Sequence, residues 1–229
     1  MAGLDVLVAG DATPGGAVVV MLHGFGAPGD DLAGMSGPGG PFTLPGVRFV
    51  YPAAPLALPP EYMGGRAWWF IDMVARMQRA ARGEKHDVSA IPEGLVEARA
   101  KVGDLLDTVE HELAPAPGKL VLGGFSQGAM LSLDVALRSS RAFAGLLLLS
   151  GTHIAAQEWA RLLPSRAGLP VFLSHGESDE VLPFDVALAL KDTLLAAGLG
   201  VEWSPFRGGH GIPPKVVGGA LAFLRRVLA

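Results

Sequence analysis

Short apolar runs recur along this chain, separated by longer stretches with helical spacing, and that alternation constrains the fold more than any other feature. The runs fall at 18–22, 47–51, 120–123, 145–149, 171–174 and 201–205, with 4–8 as a candidate edge strand. Most are apolar at consecutive positions, the pattern of strands covered on both faces. Helices are expected between them, over 94–113, 129–138, 184–197 and 215–228; in the first of these Leu95, Val102, Leu105, Leu106 and Val109 share one face. Strand–helix–strand repetition of this kind gives an α/β fold, a mostly parallel central sheet with helices on both faces.

The rhythm breaks over 52–91, where Pro52, Pro55, Pro59 and Pro60 precede the aromatic cluster Trp68-Trp69-Phe70. Proline at that density denies regular structure. The stretch is read as an irregular excursion outside the core, forming a pocket rim. Within it a helix is expected over 72–82, with Met73, Val74 and Met77 on one side and Arg76, Arg79 and Arg82 on the other. No linker or internal repeat divides the chain, and 229 residues, 50% hydrophobic, can bury one sizeable core, so 1–229 is expected to form a single domain.

Charge and composition exclude several functions. A net charge of −4 with 17% charged residues provides no basic stripe for phosphates, so nucleic acid is not an expected partner. The chain has no cysteine, which rules out disulfides, thiolate metal sites and a cysteine nucleophile. No metal-ligand spacing of the His-Glu-x-x-His type occurs, and neither metal nor cofactor is expected. Residues 1–16 carry Asp5 and Asp11 but no Lys or Arg, unlike the basic start of a secretory signal, and no apolar run approaches the ~20 residues that cross a bilayer. A cytoplasmic protein without a transmembrane segment is expected.

The most specific chemistry sits at Gly124-Phe125-Ser126-Gln127-Gly128, where the run at 120–122 meets a helix-forming stretch. Gly-x-Ser-x-Gly at a strand-to-helix junction is a nucleophile elbow, a turn so tight that only small residues fit around the exposed hydroxyl. A serine hydroxyl needs a base, and the base needs an acceptor to hold its tautomer. On a sheet of this type the expected chain order is Ser, acid, His, each at the carboxyl end of a strand. Asp179 follows the run at 171–174, and His210 follows that at 201–205 inside Gly208-Gly209-His210-Gly211. Ser126, Asp179 and His210 are therefore the expected catalytic triad. Glu177 and Glu180 flank Asp179 as alternative acids, and Asp185 is read as a helix cap. Of the other histidines, His86 and His111 read as exposed, His23 and His175 as shaping turns at strand ends, and His153 as a pocket-lining candidate.

Attack by Ser126 creates an oxyanion that needs donors already in place. The N–H of Gln127 at the helix start is one, and the N–H of Phe25 in His23-Gly24-Phe25-Gly26 is the expected second. The same loop, Gly24 to Gly29, satisfies Gly-x-Gly-x-x-Gly and raises a rival dinucleotide-binding reading. Asp30 and Asp31 oppose it, standing where a pyrophosphate would sit, and no carboxylate lies about 20 residues on for a ribose. A third reading is a hydrolase-shaped protein that only binds ligands. Trp68, Trp69, Phe70 and Met73 are read either as walls of a groove for a small-molecule or lipid-like ester or as ordinary core.

The segments Leu22-His23-Gly24-Phe25-Gly26, Trp69-Phe70, the elbow, His175-Gly176-Glu177-Ser178-Asp179 through Val181 and Pro183, and Gly209-His210 together resemble the phospholipase/carboxylesterase group of α/β-hydrolases, which includes acyl-protein thioesterases. The resemblance runs from about residue 18 to the C-terminus. It implies an α/β-hydrolase fold with little or no cap, a serine esterase or thioesterase activity, and the same triad and oxyanion donors. The chain departs from the group's pattern at Ala27-Pro28-Gly29, inserted before Asp30, and at Gly211, where Glu is usual.

Overall fold

The structure, a computed structural model, describes residues 1–11, 15–36, 39–84 and 87–229. In chain order the elements are β1 (Val6–Gly10), β2 (Ala17–Leu22), β3 (Val47–Pro52), β4 (Leu56–Ala57), β5 (Arg66–Ala67), α1 (Met73–Ala81), α2 (Leu95–Leu113), β6 (Leu120–Phe125), α3 (Gln127–Arg138), β7 (Gly145–Leu149), α4 (Ala156–Leu162), β8 (Pro170–Gly176), α5 (Phe184–Ala196), β9 (Gly200–Phe206) and α6 (Pro214–Val227). Seven strands form one sheet in the order β1-β3-β2-β6-β7-β8-β9. All neighbours are parallel except β1, which runs antiparallel to β3 at the edge. This is the mostly parallel α/β sheet expected from the alternating runs, and it agrees with the α/β-hydrolase fold that the resemblance implies. No helix among the described residues is long and apolar enough to cross a membrane.

Strand pleating sends successive side chains to opposite faces, so a strand buried on both sides feeds two cores. In β2, Val18, Val20 and Leu22 join the core beneath α2, α3 and α5, while Val19 and Met21 join the one beneath α6. On α2, all five residues assigned to one face are fully buried. Burial of each such side chain contributes about 1.5–3 kcal/mol, enough to seat the helix firmly.

Of the two readings of the aromatic cluster, groove wall or ordinary core, Trp68 and Trp69 take up the core. The prolines place Trp68 and Trp69 on an excursion outside the core, yet the two are only 1% and 2% exposed and belong to the α2–α3 core. Prolines do keep the preceding residues irregular, but β4 and β5 pair as a two-residue hairpin that carries the chain back to the sheet. Large apolar rings then gain more from burial than the backbone loses by lacking regular structure. On α1 the apolar side faces outward instead of inward: Val74 and Met77 are exposed, whereas Arg76 is half-buried and donates to the Val181 carbonyl at 3.1 Å.

Helix α3 is buried on nearly every side, yet carries Asp134 at its centre. The carboxylate accepts from Arg99 Nε of α2 at 2.6 Å, Trp159 Nε1 of α4 at 2.9 Å, and Arg138 Nε one turn on at 3.3 Å. One acid thus joins three helices, a role no local pattern announces.

Candidate active site

The elbow works because two backbones pass where side chains would otherwise stand. A Cβ on Gly124 or Gly128 would collide with the carbonyl oxygen of Leu22 in β2, and one on Gly124 would also strike the backbone of Gly128. Ser126 between them has φ 55° and ψ −117°, a conformation that costs a non-glycine residue about 1–3 kcal/mol. The turn is held from outside: the Ser126 N–H donates to Leu149 O of β7 at 2.8 Å. The hydroxyl is left half-exposed at the carboxyl edge of the sheet, ahead of the N-terminus of α3.

Strands β8 and β9 run in register to their ends, with His175 opposite Pro205 and Gly176 opposite Phe206, so the loops beyond them emerge together. Asp179 lies in the first and His210 in the second. His210 Nδ1 and Asp179 Oδ2 are 2.7 Å apart. A carboxylate only accepts, so Nδ1 carries the proton and Nε2 is left bare for a hydroxyl. Asp179 Oδ1 is occupied separately, accepting the N–H groups of Val181 at 2.9 Å and Leu182 at 2.8 Å. Burial alone would raise this carboxyl's pKa; the His210 hydrogen bond, the Leu182 N–H and the charges of His210 and His175 outweigh it and hold the pKa below its ordinary value. The His210 ring lies 4.8 Å from that of Phe125, the residue before Ser126, and Ser150 Oγ donates to the Gly211 carbonyl at 3.2 Å. These contacts seat the His210 loop against the elbow.

The acids flanking Asp179 go elsewhere: Glu177 and Glu180 are exposed. His175 is fully buried beside Asp179; its Nε2–H donates to Leu182 O at 2.8 Å and fixes the loop that carries the carboxylate. His23 accepts the Ala54 N–H at Nε2, 2.8 Å, which leaves Nδ1–H to donate to Gly24 O at 2.7 Å. Both therefore shape turns. His86 lies outside the described residues.

Of the candidate substrate contacts, Trp69 and Phe70 line a groove of about 500 Å³ with Met130, Ile154, Val181 and Pro183. The last two come just after Asp179 in the chain, which sets the groove beside the candidate triad. The other three lie off this lining. Trp68 is buried with its indole N–H donated to His23 O, Met73 is half-buried on α1, and His153 is packed against Trp159 at 6.0 Å between rings. The sequence places Trp68, Trp69, Phe70 and Met73 near one another but does not say which way each side chain turns.

Loop 24–26 runs alongside the elbow, a Cβ on Gly24 coming 3.3 Å from that of Ser126. No hydrogen bond among the described residues engages the N–H of Phe25 or Gln127. The rival dinucleotide reading loses its structural basis, because the glycines lead into a single 3-10 turn, Ala33–Met35, with no helix N-terminus to hold a pyrophosphate.

Burial lowers the pKa of His23, His175 and His153, the last to about 4. Between their unfolded value near 6.5 and these folded values the unfolded chain binds more protons, so stability falls as pH falls through that window and is insensitive above it. For His153 alone the loss reaches about 3 kcal/mol at pH 4. Thermal unfolding is expected to show a lower Tm at pH 5 than at pH 7, with a shallower decline in His153→Leu; equal slopes would count against the assignment.

The model of the phospholipase/carboxylesterase family matches residues 5–228. The chain belongs to this family. It is similar to acyl-protein thioesterase 1 of Neurospora crassa, 27% identical over 202 residues that cover 85% of this chain and 80% of that protein. The same-named protein of Eremothecium gossypii is 28% identical, over 96% and 92%. Among solved structures, that of esterase PE8 superposes with a TM-score of 0.81 at 26% identity, covering 98% of this chain and 99% of that one. Zea mays acyl-protein thioesterase 2, at 23% identity and a TM-score of 0.71 over 98% and 99% of the two chains, shares the fold. Membership of the phospholipase/carboxylesterase family makes the protein a hydrolase of the carboxylesterase type.

Proposed function

We propose that the protein cleaves carboxylic esters or thioesters of acids with an apolar chain, by two-step acyl transfer through Ser126. The observation that carries this reading is the 2.7 Å pair of His210 and Asp179, beside a serine held in a strained turn. His210 Nε2 takes the Ser126 proton as Oγ attacks the carbonyl carbon, and Asp179 stabilises the imidazolium formed. The N–H groups of Phe25 and Gln127 receive the negative oxygen. Collapse expels the alkoxide or thiolate, which leaves with the proton from His210, and the acyl group remains on Oγ. Water then repeats the sequence, His210 acting first as base and then as acid, to release the carboxylic acid and free serine.

The groove bounded by Trp69, Phe70, Met130 and Val181 receives the acyl chain in this reading, since burying each methylene there contributes about 0.8 kcal/mol. The thioester half rests on the names of the relatives, and a lipid-like substrate fits the apolar side chains of a groove that they share with charged residues such as Arg76, Arg79 and Glu93. A series of p-nitrophenyl esters of increasing chain length tests it. The expected outcome is that kcat/KM rises with length until the groove is full and then levels, while Ser126→Ala stays at buffer rates. Rates independent of length would remove the groove from the reading, and buffer-level rates throughout would favour a ligand-binding protein.

A further inference from the structure

The two candidate oxyanion donors are main-chain groups on separate segments: the Gln127 N–H opens α3, whereas the Phe25 N–H lies in a loop with no regular structure to fix its direction. One hydrogen-bonded chain connects them. Gln127, fully buried, donates from Nε2 to Trp69 O at 2.9 Å and accepts the Trp68 N–H at Oε1, 3.0 Å. The Trp68 indole N–H donates to His23 O at 3.0 Å, and its ring packs 5.6 Å from that of His23. His23 Nδ1–H in turn donates to Gly24 O at 2.7 Å.

That last bond has a directional consequence. Gly24 C=O and Phe25 N–H belong to one trans peptide plane and point in opposite directions, so fixing the carbonyl aims the N–H. At the other end, the side chain anchored to Trp68 and Trp69 belongs to the residue whose own N–H is the second donor. We infer that His23, Trp68 and Gln127 act as a positioning relay, aiming the Phe25 N–H and setting its separation from the Gln127 N–H, which α3 already directs, for the transition-state oxyanion. The inference rests on the proposed role of those two groups. Donors in such a site contribute through preorganisation, and small misplacements are costly because the oxyanion site cannot follow.

Substitutions in the relay leave both backbone donors chemically present, which separates positioning from donation. Gln127→Met keeps the buried volume while removing both amide bonds, and Trp68→Phe removes the indole donor. The test measures kcat and KM on a p-nitrophenyl ester, Tm, and the affinity of an alkyl trifluoromethyl ketone, whose hemiketal oxygen occupies the oxyanion site. Each variant is expected to lose about 10- to 100-fold in kcat with KM within about threefold, and to lose ketone affinity in step. The double variant is expected to lose little more than the worse single one, since either break opens the same relay. Unchanged kcat and ketone affinity with a lowered Tm would overturn the relay and leave these residues as packing alone. Should Trp68→Phe fail to fold, Gln127→Met carries the same comparison. A wild type that forms no ketone adduct at Ser126 would overturn the nucleophile assignment itself, and the relay with it.

Discussion

Asp179→Asn is expected to lower kcat by about 10⁴-fold while leaving the fold intact. Asparagine matches aspartate in size, and two backbone donors decide which way it turns. Val181 N–H and Leu182 N–H, at 2.9 and 2.8 Å, demand an acceptor at Oδ1. The amide nitrogen must then take the place of Oδ2, where His210 Nδ1 now lies at 2.7 Å. Two donors cannot face each other, so His210 moves its proton to Nε2 and turns a donor where Ser126 needs an acceptor. The check is kcat on a p-nitrophenyl ester beside an unfolding curve. A loss smaller than tenfold would mean that Asp179 does not set the tautomer.

The second large effect is on stability and arises away from this site. Asp134→Ala strips the shared acceptor from Trp159 Nε1, a buried donor, and from the guanidinium groups of Arg99 and Arg138. Breaking a buried charge network by removing one partner costs about 3–5 kcal/mol. At about 2–4 °C per kcal/mol for a chain of this size, Tm is expected to fall by roughly 6–20 °C. Asp134→Asn, which keeps one acceptor for the indole, is expected to recover part of the loss. A Tm within about 2 °C of wild type for Asp134→Ala would show that the three helices do not depend on it.

Legibility in the sequence tracks the range of the interaction concerned. The β6–α3 junction is legible because a tight turn between an apolar run and a helix is written in five adjacent residues, and its glycines meet a neighbour every such sheet supplies. The exits of β8 and β9 are legible for the same reason: parallel strands place successive carboxyl ends on one edge, so chain order alone puts Asp179 and His210 close. The tryptophans are not, since nothing in Pro52 to Phe70 records that the indole of Trp68 meets a carbonyl 45 residues away. Helix α4 gives no periodic signal because within it only Trp159 is fully buried. Asp134 leaves half a trace: an acid centred among Leu131, Leu133, Val135 and Leu137 on an otherwise apolar helix must find partners, although the sequence does not say where.

Ser126 is the point on which the functional account turns, and covalent labelling tests it most directly. Treatment with a fluorophosphonate, digestion and mass analysis should place one adduct on the peptide containing Ser126, and Ser126→Ala should remain unlabelled. An adduct on another residue, or equal labelling of both proteins, would contradict the assignment of the nucleophile.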